Sequence, residues 1–565
     1  MEEVLSESVL RGGAVRSSLG EWALPPRRFG AMPRTLLDAY IAGDAAAFYP
    51  THFADVAARR AVVARVARPL APAVADALTL QNERLAASPA RQRHLAALRN
   101  GAAAVVTGQQ VGLFLGPLFT IYKAATTIRL ARALAEETGR PVVPVFWLQS
   151  EDHDLPEIAV CHTPSPHGAS LVSQLAAPDA RISIAHRQLP DDVTACLGTL
   201  GAALANLPHA APHLARLARH YVAGTGWVAA FAGVLAELFA DEGLVFVDPR
   251  DPALAAAAAP VHERALREAA GIAETLEVRS AALADAGFTP AVHVRRAAPL
   301  SFFHPDGADG PRFRLTPERD GWALVGRQER CTRQHVLARL DAAPLELSSS
   351  ALLRPIVQDA LLPTAAYVGG PGEVAYFAQL APLYDAFGVT MPLIVPRARL
   401  RVVEAGIVRR LAAWGLSPDD VRRGEDELLA RIAAHQGVPL ATRDLSSRLL
   451  GPFAAALAQL QQELAPLDAG VHHGIEKTRT TIEGAVARLI GKIEQAHRHR
   501  DASAVAALRD VRQRLYPHDT PQERIYGLAY FAARYGEQAF LRAALAAAAP
   551  FDTVPRDLHV GEEAA

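Results

Sequence analysis

Between residues 102 and 154 the chain runs from a short apolar stretch, AAAVVT (102–107), into a glycine-punctuated segment, GQQVGLFLGP (108–117). A long helical stretch follows (118–138), closed by Gly139, and then a second apolar run, PVVPVFWL (141–148), which ends in EDHD (151–154). Strand, glycine-rich turn, helix and strand within about 50 residues describe a βαβ unit. Continuous apolar runs, rather than alternating ones, mark strands buried on both faces. The unit therefore predicts parallel strands with a right-handed crossover, and an α/β chain with a Rossmann-like core.

At 565 residues the chain is too long for one core, so several units are expected. Residues 1–162 read as N-terminal helices plus the first half of the core, and 163–340 as an inserted α+β region. The remainder divides into the second half of the core (341–400), a helical coiled-coil domain (401–515) and a C-terminal segment packing back on the core (516–565). The coiled coil rests on stripes such as Leu449, Phe453, Leu457, Leu460, Leu464 and Leu467, followed by Ile475, Ile482, Val486, Leu489 and Ile493. Apolar residues three and four apart between charged faces make such a seam.

Lysine plus arginine number 58 against 59 acidic residues, so no overall basic field steers the chain to nucleic acid or an anionic membrane. Cys161, Cys196 and Cys331 share no metal-type spacing, and their number is odd, which favours a reducing compartment. The N-terminus lacks an apolar signal core, and no window approaches 18 uncharged apolar residues. A soluble, cytoplasmic protein is expected.

Three constellations carry chemistry. In the first, Gly108, Gly112 and Gly116 would let backbone approach a ligand, and the helix after Pro117 would offer free N–H groups to a phosphate. Gln109 and Gln110 donate and accept without charge, and Lys123 points at a phosphate or at solvent. The spacing is neither G-x-G-x-x-G nor a Walker loop, and a turn with packing glycines is the plain alternative. In the second, alternation along an extended strand would put Glu151 and His153 on one side, and Asp152 and Asp154 on the other. That cluster suits a ribose, an amine, a metal or acid–base work, with histidine best tuned near neutrality. Its plain alternative is a loop in which Asp154 and Glu157 form a capping box. A zinc site from Glu151, His153, Cys161 and His162 matches no standard spacing. In the third, Arg354 and Gln358 share a helical face. Tyr367, Gly369, Gly370 and Glu373 form a strand-to-loop transition with an anionic tip.

The segments TGQQVGLFLGPLFTIYKA, VPVFWLQSEDHDLPEI, LRPIVQDALLPTAAYVGGPGEVAYFAQL and LYPHDTPQERIYGLAYFAARYG strongly resemble, in order, the cysteine ligase family of bacillithiol biosynthesis. The resemblance implies a core similar to class I aminoacyl-tRNA synthetases, with connecting-peptide-like insertions and a coiled coil that pairs two subunits. GQQVGLFLG stands where the synthetases carry HIGH, and EDHD where they carry an acidic strand-end motif; the KMSKS loop has no counterpart. The implied reaction joins L-cysteine to the amine of glucosaminyl-malate as the last step of the pathway. ATP, with magnesium on the nucleotide, would activate the carboxyl as an adenylate or an acyl phosphate. On that resemblance Gly108, Gln109, Gln110, Gly112 and Gly116 hold nucleotide or activated acyl group, with Gln110 also catalytic. His153 and Asp152 do acid–base or ribose-binding work, with Lys123, Glu151 and Asp154 beside them. Arg354, Gln358, Tyr367, Gly369, Gly370 and Glu373 shape the acceptor pocket, with Arg354 on the malate carboxylates. Two other readings compete: a metal-dependent hydrolase using EDHD, and a non-catalytic, nucleotide-binding dimeric scaffold.

Overall fold

The computed structural model describes residues 35–164, 170–176, 181–435, 441–463, 469–500 and 502–560. Its centre is a five-stranded parallel sheet. β1 (Ala103–Gln109) leads through helix α1 (Phe119–Thr138) to β2 (Val142–Leu148), and β3 is Val245–Val247. After helix α2 (Arg354–Leu361) come β4 (Thr364–Gly369), helix α3 (Pro371–Phe387) and β5 (Leu393–Pro396). The spatial order is β5-β4-β1-β2-β3, with every pairing parallel. This is a doubly wound sheet, and its order reverses between β1 and β4. Small and β-branched residues suit its centre: Ala103, Ala104, Val105 and Val106 are fully buried, as are Val145 and Trp147 beside them. Gly139, left-handed at φ 66°, ends α1 as the sequence predicts.

Three details depart from the reading of the sequence. β1 continues through Gly108 and Gln109, so Gly108 sits in the ladder opposite Trp147 rather than in a turn. β3 lies within the stretch assigned to the insertion, yet it joins the core sheet beside β2. Residues 367–373 are not a strand-to-loop transition: Pro371 opens α3, making a second strand-to-helix handover.

The rest of the insertion contributes helices and an antiparallel meander. Ser301–Phe303 pairs with both Phe313–Glu318 and Leu347–Ser349, and the hairpin Gly321–Leu324 and Arg330–Thr332 extends it. Buried histidines fasten this layer. His304 shares hydrogen bonds with the Gly310 carbonyl and Ser348 Oγ, both at 3.0 Å, and His262 with Ser301 Oγ at 2.8 Å. Burial pushes His304 down to about 3 and His262 down to about 4, so both are neutral in the fold. In the unfolded chain each protonates near 6.5. Stability contributed by the neutral rings is therefore complete above about pH 6.5, and it falls as pH drops toward 3 to 4. Urea midpoints measured between pH 7.5 and 4.5 are expected to decline, with a shallower slope in His304→Gln. An equal slope in that variant would exclude His304 as a source of the decline.

Beyond residue 400 the chain is helical. Ala441–Glu463 and Ala469–Arg500 pack against each other, with Phe453 and Leu457 partly covered and Ile475 buried. Leu449, Leu460 and Leu489 of the same stripes stay exposed, at 43%, 42% and 48%. Leu464 and Leu467 lie outside the described residues. The chain then returns to the core: Glu537–Ala547 packs on α1, and Arg556–Leu558 pairs with Leu400–Val402. No helix among the described residues is long and apolar enough to cross a membrane.

Candidate active site

In an open parallel sheet the ligand crevice lies beyond the carboxyl ends of the strands, where the strand order reverses. A cleft of about 740 Å³ opens at that point. Gln109 and Gln110 enter it from the end of β1, Glu151, Asp152 and His153 from beyond β2, and Gly370 and Glu373 from the start of α3. Lys123 of α1, Arg354 of α2 and Arg397 after β5 also line it, as do Phe302, Arg312 and Arg314 of the meander and Arg524 of the C-terminal segment.

EDHD is not extended strand. β2 stops at Leu148, so side-chain alternation does not apply, and Glu151 and Asp152 turn toward the same arginine. Arg312 is buried, stacked over Phe302 at 3.9 Å, and donates to the Ser349 carbonyl at 2.9 Å and to the Glu151 carbonyl. Burial raises the Glu151 carboxyl, which accepts from Ser349 N–H at 3.2 Å. Burial acts on Asp152 too. There the Arg312 charge, the Gln110 amide (2.8 Å) and the His153 N–H (2.8 Å) outweigh it and hold the carboxyl below its ordinary range. Gln110 also donates to Glu157 at 3.2 Å. His153 Nδ1 lies 3.8 Å from Asp152 Oδ1 with its ring one-third exposed, so the imidazole is presented beside an ionised carboxylate. Asp154 faces away from this work: its side chain accepts from Glu157 N–H, without the return bond a capping box requires.

Lys123 points neither at solvent nor at an open phosphate site. Its side chain is 3% exposed, pairs with Glu373 at 2.5 Å, and donates to the Gly108 carbonyl (2.7 Å) and to Gln109 Oε1 (2.9 Å). Glu373 accepts in addition from Tyr367 Oη–H at 2.6 Å and Gly370 N–H at 2.8 Å. Burial would raise this carboxyl, but the lysine and the donors hold it ionised. The anionic tip is thus saturated. Tyr367 stands behind Glu373, fully buried, and does not line the cleft; Gly369 packs against Glu373 Cβ. Arg354 reaches the cleft and donates to Tyr376 Oη. Gln358 does not reach it; its amide is buried against Asp359 at 2.8 Å.

Gly112 and Gly116 hold no ligand surface. Both are buried and neither lines the cleft; the two backbones touch, and a Cβ on Gly112 would stand 2.9 Å from Gly116 Cα. Of the N–H groups at the start of α1, Leu118 donates to the Tyr526 carbonyl at 2.7 Å and Thr120 to the Pro117 carbonyl, so neither is offered to a phosphate. Gly112→Ala is accordingly expected to cost about 1–3 kcal/mol of stability through overpacking, read as a lower urea midpoint. Gly108→Ala places its methyl at ordinary contact from Trp147 and is expected to leave the midpoint unchanged.

Among the described residues no group of three or more histidine, cysteine or acidic side chains is placed to hold a metal. Burial pushes the Cys161 thiol up to about 12, which removes it as a thiolate. The cleft residues the motifs missed include Arg312, Arg314, Arg397 and Arg524. They come from separate parts of the chain, and only the fold gathers them.

The chain matches the model described as Bacillithiol biosynthesis BshC, N-terminal Rossmann-like domain, over residues 32–398. It matches the corresponding C-terminal coiled-coil domain over 400–554. A protein of Salinibacter ruber named "Putative cysteine ligase BshC" is 35% identical over 523 residues, covering 90% of this chain and 93% of that protein. Proteins of the same name from Koribacter versatilis and Symbiobacterium thermophilum are 36% and 31% identical. The first alignment covers 82% of this chain and 85% of that protein, and the second 95% of each. With both domains matched and relatives aligned along most of their length, the chain belongs to the bacillithiol biosynthesis BshC family and is an enzyme of the ligase class.

Proposed function

We propose that the cleft joins the carboxyl of L-cysteine to the amine of glucosaminyl-malate, with ATP activating the carboxyl. The observation that carries this reading is the charge of the cleft: Lys123 and six arginines face three carboxylates around the Asp152–His153 pair. A surplus of buried-edge cations suits a ligand set rich in anions, here the nucleotide phosphates and the two malate carboxylates. A free carboxylate is a poor acyl donor, so activation has to precede attack by the amine. Magnesium would enter bound to the nucleotide.

Within this reading Gln110 and Asp152 position the acyl donor, His153 accepts the proton of the attacking amine, and Arg354 takes a malate carboxylate. The hydrolase alternative needs EDHD to converge on a metal. Instead Glu151 is tied to Ser349, Asp152 to Gln110, and Asp154 to a helix end. The exposed Leu449, Leu460 and Leu489 support pairing of two chains through the coiled coil. Equilibrium sedimentation is expected to give a dimer that Leu449→Glu with Leu489→Glu converts to monomer.

The direct test is mass spectrometry of purified protein with cysteine, glucosaminyl-malate, ATP and magnesium. The amide product is expected, dependent on ATP, with AMP marking an adenylate and ADP an acyl phosphate. Absence of product with all components present would overturn the assignment.

A further inference from the structure

The C-terminal return of the chain brings a short strap over the cleft. After helix Ala502–Leu515 the backbone turns through His518 and Asp519, both left-handed at φ 51° and 54°, into the single turn Gln522–Ile525. Three consecutive residues then do different things. Gln522 is buried, accepts from Val402 N–H at 2.9 Å, and donates to the Val402 and Arg514 carbonyls at 3.1 and 2.8 Å. Glu523 is buried and takes both nitrogens of Arg397, at 2.8 and 2.7 Å, with Leu400 N–H at 3.2 Å. Tyr526 and Gly527 close the strap, bonding to Leu118 N–H and to the His162 carbonyl.

Between these anchors stands Arg524. Its backbone position is over-determined on both sides, yet its guanidinium makes no hydrogen bond or ion pair among the described residues. It opens on the cleft near Glu373, Glu157 and Arg397. Of the carboxylates nearest it, Glu373 is matched by Lys123, Glu523 by Arg397, and Glu157 accepts from Gln110; none forms an ion pair with Arg524 among the described residues. A permanently charged fork held at the edge of a cleft without an ion-pair partner is arranged for an anion that arrives with a ligand. The residue is exposed at the edge of the cleft, where an incoming anion can reach its guanidinium.

We infer that Arg524 is a substrate-binding residue of the cleft, taking the carboxylate or phosphate of a bound ligand, and that Gln522 and Glu523 are the residues that position it. The inference rests on the cleft being the substrate site and deepens that reading. It also gives the C-terminal segment a role that its packing on the core does not explain: the cleft is completed only when the chain has passed through the coiled coil and returned.

Isothermal titration of full-length protein with ATP, and separately with L-malate, at low salt tests it. Arg524→Ala is expected to weaken one probe at least tenfold and leave the other unchanged. Weakened ATP assigns a phosphate and weakened malate a carboxylate. Arg524→Lys should recover part of the loss, because it keeps the charge without the fork. Thermal unfolding of Arg524→Ala should match wild type, since the side chain has no partner to lose. Equal binding of both probes by wild type and Arg524→Ala, or no binding of either by wild type, would overturn the inference. Normal probe binding with no amide product would instead remove the proposed reaction and leave Arg524 in place.

Discussion

Replacing Lys123 by methionine is expected to cost about 3–5 kcal/mol of folding stability, the range for breaking a buried ion pair from one side. The aliphatic stem would be matched, so the loss comes from Glu373, left ionised beside the sheet with only Tyr367 and Gly370 as donors. Lys123 also ties the end of β1 to α1 through the Gly108 carbonyl and Gln109. The second variant, Glu373→Gln, keeps an acceptor for Tyr367 and Gly370 but strands the ammonium. Together the two changes should cost less than the sum of each alone, because neither charge is then left unpaired. Urea unfolding followed by tryptophan fluorescence reads this cycle; simple additivity would mean the pair is not coupled. The pH dependence has a definite sign. Glu373 is held below its ordinary range, so the stability it contributes is complete above about pH 4.3 and is lost as pH falls below that toward its folded value. The Lys123→Met variant should lose less on acidification, since protonating Glu373 then removes an unpaired charge rather than a pair.

Lys123 also shows what could be read from the sequence and what could not. The βαβ unit was legible because apolar runs, a helical stretch of 20 residues and a terminal glycine are local signals. The family segments likewise lie in continuous sequence. The direction of Lys123 was not legible, because its partner, Glu373, lies 250 residues away on the other half of the sheet. EDHD misled in a different way. Alternation holds only while the backbone stays extended, and Leu148 ends the strand three residues before Glu151. Gly112 and Gly116 repeat the spacing of a ligand loop, but that spacing also lets two backbone turns touch, and the touching turns lie in the core. β3 joins the central sheet only by pairing with β2 across about 100 residues, which no local pattern specifies. Of the cleft arginines, Arg354 sits in a pattern the sequence singles out, whereas Arg312, Arg314, Arg397 and Arg524 do not.

His153→Ala is expected to lower kcat by about 10²–10⁴, the usual contribution of a positioned proton acceptor. The geometry singles it out by elimination of its neighbours. Asp152 is surrounded by Arg312, Gln110 and the His153 N–H, which stabilise its charge and make it a weak base. Glu373 is neutralised by Lys123. Glu151 is partly buried and its carboxylate accepts from Ser349 N–H. His153 alone of the EDHD side chains combines an imidazole ring, partial exposure to the cleft and an ionised carboxylate at 3.8 Å, which would favour the imidazolium formed in the proposed reaction. The substitution should leave the urea midpoint near wild type, because one-third of the ring is already exposed. If the proposed reaction holds, it should also leave KM for cysteine and ATP little changed, which separates a chemical role from a binding one. Asp152→Asn should reduce kcat less than His153→Ala does, since it removes the charge that supports the ring but not the ring itself. A His153→Ala enzyme with raised KM and unchanged kcat would make His153 a binding residue and return the search for the base to Glu157. Burial raises that carboxyl, and Gln110 links it to Asp152.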